Sequence, residues 1–176
     1  MRVAMKTAMA SMVLLAISAS GVQAAAGSGQ ITFQGEIMDS ACAIKPGSSD
    51  QTITLAHAAK SQLSTGGVSP TEAFNIELVG CDPGTLTSKT VTATFTGPAS
   101  GDVSGALGIV GTASGAGIMM VDGSGTAIIL GTATTAQKFQ AGNNTLSFGA
   151  YLKGKATGTI TPGEFSAVTN FSLAYQ

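Results

Sequence analysis

Few residues in this chain could do covalent or acid–base chemistry: two cysteines, Cys42 and Cys81, one histidine, His57, and nine Asp and Glu among 176 residues. A nucleophile–base pair would have to use His57, which lies in L-A-H-A-A-K without a strand-to-helix nucleophile turn beside it. It reads as a surface or packing histidine. Glu36, Asp39, Glu72, Glu77 and Glu164 are scattered, and most fall on strand or loop positions that face solvent. The glycine-rich stretch 105–131 lacks the G-K-[ST] run and following helix of a phosphate loop. No enzymatic activity, catalytic residue or cofactor is therefore expected. Two cysteines in an exported protein are expected to form one disulfide, and closing a loop of this length is worth roughly 4 kcal/mol in the chain-entropy model. A metal site or a reactive thiol pair is the competing reading, disfavoured by the long spacing and the single histidine.

Export is written at the N-terminus. Arg2 and Lys6 form a positive region, residues 9–17 an apolar core, and Val22-Gln23-Ala24 a small-residue cleavage motif. The apolar run is too short and too interrupted by Ser and Thr to span a bilayer, so residues 1–24 read as a signal peptide and no stable membrane insertion is expected. Cleavage after Ala24 leaves 152 residues, enough for one domain with a core. That mature chain carries six lysines and no arginine against nine carboxylates, a formal charge of −3. Such a surface has no basic footprint for nucleic acid or anionic lipid. Its many Ser, Thr, Gly and Ala suit a protein surrounded by copies of itself.

The elements that must position these residues are strands. Ile53 and Leu55 alternate within 51–55, Phe74, Ile76 and Leu78 before Cys81, and Val91, Ala93 and Phe95 between threonines. Asp82-Pro83-Gly84 and Gly97-Pro98 supply turns. Residues 97–117 read as a loop with one short strand. Residues 117–121 and 126–130 read as a hairpin across Asp122-Gly123-Ser124-Gly125. Leu146, Phe148 and residues 150–152 make a further strand entered through Gly142-Asn143-Asn144. The one helix expected is short, at 57–63. Many short strands broken by Gly, Pro and Asn predict an antiparallel, all-β sandwich.

Both ends of the mature chain are strands. In Q-I-T-F-Q-G-E-I-M-D, from Gln30 to Asp39, Ile31, Phe33, Gly35 and Ile37 share one face, with Thr32, Gln34 and Glu36 opposite. At the other end Phe165, Ala167, Thr169, Phe171, Leu173 and Tyr175 share a face, one residue before Gln176. Neither strand is obviously satisfied by the other.

Taken in order, these segments resemble the pilins of chaperone–usher fimbriae, of the type 1 and P-pilus rod-subunit kind. The marks are I-T-F-Q-G-E-I, D-S-A-C-A-I around Cys42, D-Q-T-I-T-L from Asp50, F-N-I-E-L-V-G-C-D around Cys81, and F-S-A-V-T-N-F-S-L-A-Y-Q at the end. The family's glycine fourteenth from the end and penultimate tyrosine fall on Gly163 and Tyr175. The resemblance implies an incomplete immunoglobulin-like β-sandwich, over residues 38–176, that lacks its final strand. A periplasmic chaperone would first fill the resulting groove. At the outer-membrane usher, the N-terminal extension of a neighbouring subunit, residues 25–37, would replace it. Ile31, Phe33 and Ile37 would insert, and Gly35 would sit where the groove is shallow, because a backbone without Cβ can approach closely. Groove and C-terminal recognition would fall to Gly163, Phe165, Phe171, Leu173 and Tyr175, with Phe95, Phe148 and Leu152 as further lining. The implied function is a structural subunit of a surface fimbrium, the major rod subunit supporting adhesion. The alternatives are a minor adaptor or terminator pilin, or a self-complemented carbohydrate-binding adhesin domain. The absence of Trp and the presence of only two Tyr disfavour a sugar site.

Overall fold

Period-two alternation becomes antiparallel sheet in the computed structural model, which describes residues 29–35, 37, 39–84 and 86–176. The signal peptide expected at 1–24 lies outside the described residues, as do positions 25–28, Glu36 and Met38 of the N-terminal segment. The chain divides into two units, residues 1–36 and 37–176. In the first, residues 29–35 carry no strand pairing.

The larger unit is built from two principal sheets. One has the order β1 (Ala43–Ile44), β2 (Glu72–Cys81), β7 (Gly142–Gly154), β5 (Ala116–Asp122). The other has the order β6 (Gln137–Lys138), β3 (Thr90–Thr96), β9 (Asn170–Tyr175). A two-stranded ladder joins β4 (Val110–Gly111) to β8 (Phe165–Ser166). The apolar alternates face inward and meet between the sheets: Ile76 and Leu78 from β2, Leu146 and Phe148 from β7, Val91, Ala93 and Phe95 from β3. At the centre the Phe95 ring stands edge-on to Phe148 at 5.2 Å, and Phe148 stacks on Phe74 at 5.5 Å. Such pairs add about 0.5–1.5 kcal/mol each beyond the area they bury. A second cluster, Leu63, Ala116, Leu152 and Ile160, packs with Phe165.

The chain closes one side of the sandwich by changing sheets. After the turn at Asp122, Ile128 N–H donates to Met120 C=O of the first sheet at 2.9 Å. Gly131 and Thr134 N–H then donate to Phe95 and Ala93 C=O of the second, each at 2.8 Å. The arm expected as a hairpin strand at 126–130 therefore makes a single bridge, Val121 to Ala127, before it leaves. Its backbone is shared between two sheets, so neither pairs it long enough to form a regular strand.

Three other expectations are corrected. The helix begins late, as α1 (Lys60–Leu63) followed by a 3-10 turn at Ser64–Gly66. Only Leu63 of α1 is buried, so the segment lacks the apolar face that would hold a longer helix. Residues 51–55 form no strand ladder; Gln51 instead donates its side-chain N–H to Asn75 C=O at 2.8 Å. The closing strand is broken into β8 and β9 across 167–169, yet exposure alternates through the break, with 165, 167, 169, 171, 173 and 175 half-buried.

Candidate functional site

The feature that stands out is the outer edge of β9. Thr90 and Gln176 exchange both backbone hydrogen bonds, at 3.0 and 2.9 Å. By the antiparallel alternation, Thr92 with Ala174, Thr94 with Ser172 and Thr96 with Asn170 are then the bonded pairs across β3 and β9. Phe171, Leu173 and Tyr175 face β3 in the non-bonded pairs, so their N–H and C=O groups point away from β3. Among the described residues β9 pairs only with β3. The other flanks are met. The far edge of β3 is taken by Gly131, Thr134 and β6. The outer edge of β5 is taken by Leu107, Thr126 and Ile128. The outer edge of β2 is taken by β1, by the Ser48 hydroxyl on Glu77 N–H at 3.1 Å, and by Gln51.

The same three β9 residues carry the half-buried apolar row. Phe171 lies 6.2 Å from Phe95 ring to ring, Leu173 packs on the main core, and Tyr175 stands edge-on to Phe139 at 5.4 Å. Burial pushes the Tyr175 phenol above its ordinary 10.0, and a hydrogen bond with Ser40 opposes the shift. Ser40 precedes β1, so the start of the domain and its last strand meet at this tyrosine. A half-buried apolar row and backbone groups that pair with no other strand among the described residues thus coincide on one strand. That arrangement can accept one more extended segment, which would satisfy the edge and cover the row in a single step.

The sequence-derived residues separate into groups. Phe171, Leu173 and Tyr175 line the open edge above Phe95 and Phe148. Phe165 and Leu152 belong to the second cluster instead. Gly163 lies against the loop at Thr112 and Ala113: a Cβ there would sit 2.7 Å from Ala113 N. Its lack of a side chain lets Thr112 and Ala113 N–H both reach Glu164 C=O, at 3.0 and 3.1 Å. Ile31, Phe33 and Ile37 are 78, 89 and 102 % exposed, and Gly35 has no atom within 4 Å of a Cβ position. Cys42 and Cys81 are disulfide-bonded and buried, tying the start of β1 to the end of β2. His57 is exposed, and Glu77 is engaged by Lys45 at 2.7 Å. Sequence reasoning missed Phe139, a lone apolar residue in the polar run Q-K-F-Q, and Leu55 as a residue touching both clusters.

The comparisons with known proteins agree on one family. The family model described as "Fimbrial protein" matches residues 31–176. The fimbria A protein of Serratia marcescens is 45 % identical over 172 residues, 97 % of this chain and 98 % of its own length. A solved chaperone–usher pilus, described in terms of the molecular basis of rod uncoiling, matches with a TM-score of 0.76 at 34 % identity, over 85 % of this chain and 96 % of its own. The crystal structure of the P pilus rod subunit PapA matches with a TM-score of 0.68 at 37 % identity, over 78 % and 100 %.

Proposed function

The chain belongs to the fimbrial protein family, the structural and non-enzymatic pilins of chaperone–usher pili, and from that premise we propose that it is a major rod subunit that polymerises by donating residues 25–37 to a neighbouring copy. In this reading residues 1–24 are removed on export and residues 38–176 form an incomplete immunoglobulin-like sandwich. The outer edge of β9 is where its last strand is missing. That edge is the observation that carries the proposal, because its free backbone groups and half-buried side chains come from the same residues, Phe171, Leu173 and Tyr175.

The donor segment is complementary in period. Ile31, Phe33, Gly35 and Ile37 would face the core of the acceptor while Thr32, Gln34 and Glu36 face outward. Burying Ile31, Phe33 and Ile37 contributes about 5–9 kcal/mol, before backbone pairing is counted. Such a gain, repeated at every junction, suits a filament that must hold under load. Before assembly the same edge is a hazard, since any exposed strand edge can pair indiscriminately. A periplasmic chaperone covering it, and an outer-membrane usher exchanging that cover for the next subunit's extension, meet the need. Gly163 and Tyr175 take part in that C-terminal recognition.

The test is deletion of residues 27–37 in cells that express this chain as their sole pilin. The truncated subunit should accumulate in the periplasm, held by its chaperone, and heat- and SDS-resistant ladders should disappear. Ladders formed as before would overturn the donor role.

A further inference from the structure

We infer that no cut after lysine or arginine can part the donor segment from its domain, so the thread between subunits is closed to basic-specific serine proteases. The inference rests on the donor reading above, in which each junction hangs on the few residues between Ile37 and Cys42. A protease of this class seats the cationic side chain in a carboxylate-bearing pocket, and it grips exposed, extended backbone that pairs with nothing else. Asp39 and Ser40 are exposed and lie in no ladder, which is backbone of the kind that proteases nick. Yet beyond residue 24 the chain has six lysines and no arginine, and the first of these is Lys45.

Two of the six, Lys45 and Lys60, lie between the bonded cysteines. Hydrolysis after either opens a loop whose two ends stay joined through Cys42 and Cys81, so everything before Cys42 remains covalently tied to β2. Lys45 is also guarded locally. Its N–H donates to Glu77 C=O at 2.9 Å, its Nζ lies 2.7 Å from the Glu77 carboxylate, and the ring of Pro46 crowds the bond that would be cut. Lys60 is exposed on the single turn of α1, where local opening costs least, and it is the lysine that should be cut first. The other four follow Cys81, and each has its backbone held. Lys89 has a left-handed φ of 49°, and its C=O accepts from Phe139 N–H at 3.1 Å. Lys138 pairs with Thr90, and Lys153 pairs with Gly117 on one side and Val68 on the other. Lys155 N–H donates to Gly115 C=O at 2.9 Å, and its C=O accepts from Gly66 N–H at 3.1 Å. The loops at 97–109 and 123–136 contain no lysine or arginine.

The experiment treats filaments of the wild-type chain, expressed as sole pilin, with trypsin in the absence of reductant. They are then run unboiled in SDS, and cuts are mapped by mass spectrometry. The ladder should persist, and any cut should fall at Lys60, its two pieces parting only on reduction. Asp39→Lys puts one cationic side chain in the tether, and trypsin should collapse its ladder to single subunits. An endoprotease specific for acidic residues should do the same to the wild-type filament by cutting after Asp39, which guards against a variant that fails to assemble. Loss of the wild-type ladder to trypsin would overturn the inference. So would a tether that resists the acid-specific enzyme, because it would then be covered, and its lack of cationic residues would not be what protects it. Ladders that persist on deletion of residues 27–37 count instead against the donor reading.

Discussion

Asp122 is 5 % exposed at the tip of β5, and a single oxygen, Oδ1, accepts from Ser124 N–H at 2.9 Å, the Ser124 hydroxyl at 2.6 Å and Thr126 N–H at 2.9 Å. The Ser124 hydroxyl leads in holding the carboxyl below its ordinary 3.8; burial opposes, and Thr126, Thr135 and the Ser124 amide add to the lowering. A carboxylate whose folded pKa is depressed stabilises the fold fully above its unfolded pKa. That contribution is lost as pH falls from about 3.8 through the lower folded value. Asp122→Asn should therefore cost roughly 1–3 kcal/mol at neutral pH, the usual penalty for weakening a partly buried charge-assisted set. The gap between the two proteins should narrow in acid. Denaturant midpoints measured for both across the acid range check this, and a constant gap would remove the carboxylate from the account. The turn itself is legible in D-G-S-G. The burial of its aspartate is not, because Thr135 reaches it from the far side of the sheet crossing, thirteen residues on.

At the scale of elements, β1 is two residues long and pairs with β2 only through Ala43 with Val79 and Ile44 with Leu78. So short a strand cannot hold the start of the domain alone, and the Cys42–Cys81 disulfide ties the residue just before it to the last residue of β2. Replacing both cysteines with serine should lower unfolding free energy by roughly 4 kcal/mol, the loop-closure value for 39 residues. Denaturant titration of the subunit, complemented by a synthetic peptide of residues 25–37, measures it; coincident midpoints would assign β1 its own stability. The strands that the sequence reveals are those with a partner on both sides or a fully buried face, β2, β3 and β7, where alternation and burial coincide. It misleads where a segment is alternating but unpaired, as at 51–55, or divided between sheets, as at 126–130. Alternation reports which face is apolar, whereas a ladder needs a neighbour, and the neighbour is a tertiary fact. The open edge is half-legible for the same reason. The row Phe171, Leu173 and Tyr175 is plain in the sequence, but the direction of its free N–H and C=O groups follows only from the register with β3.

For the molecule as a whole, an edge of this kind makes stability depend on an occupant. A ligand that binds only the folded domain stabilises it by RT ln(1 + [L]/Kd), about 2.7 kcal/mol at a hundredfold excess over Kd. The subunit deleted of residues 1–37 and refolded with a peptide of residues 25–37 should therefore unfold at progressively higher denaturant as peptide is added. The order among peptide variants is the informative part. Phe33→Ala should weaken binding by about 1.5–3 kcal/mol, the value of one large apolar side chain leaving water. Thr32→Ala, on the outward face, should change it little. Gly35→Leu should bind slowly, since the donor reading seats this glycine where the groove is shallow. Equal stabilisation by the Phe33→Ala and Thr32→Ala peptides would mean that the segment does not insert by the face that its alternation defines. A truncated subunit that gains nothing from any peptide would mean that β9 does not receive it. The domain would then complete its core from its own residues, and the exposed Ile31, Phe33 and Ile37 would need another partner.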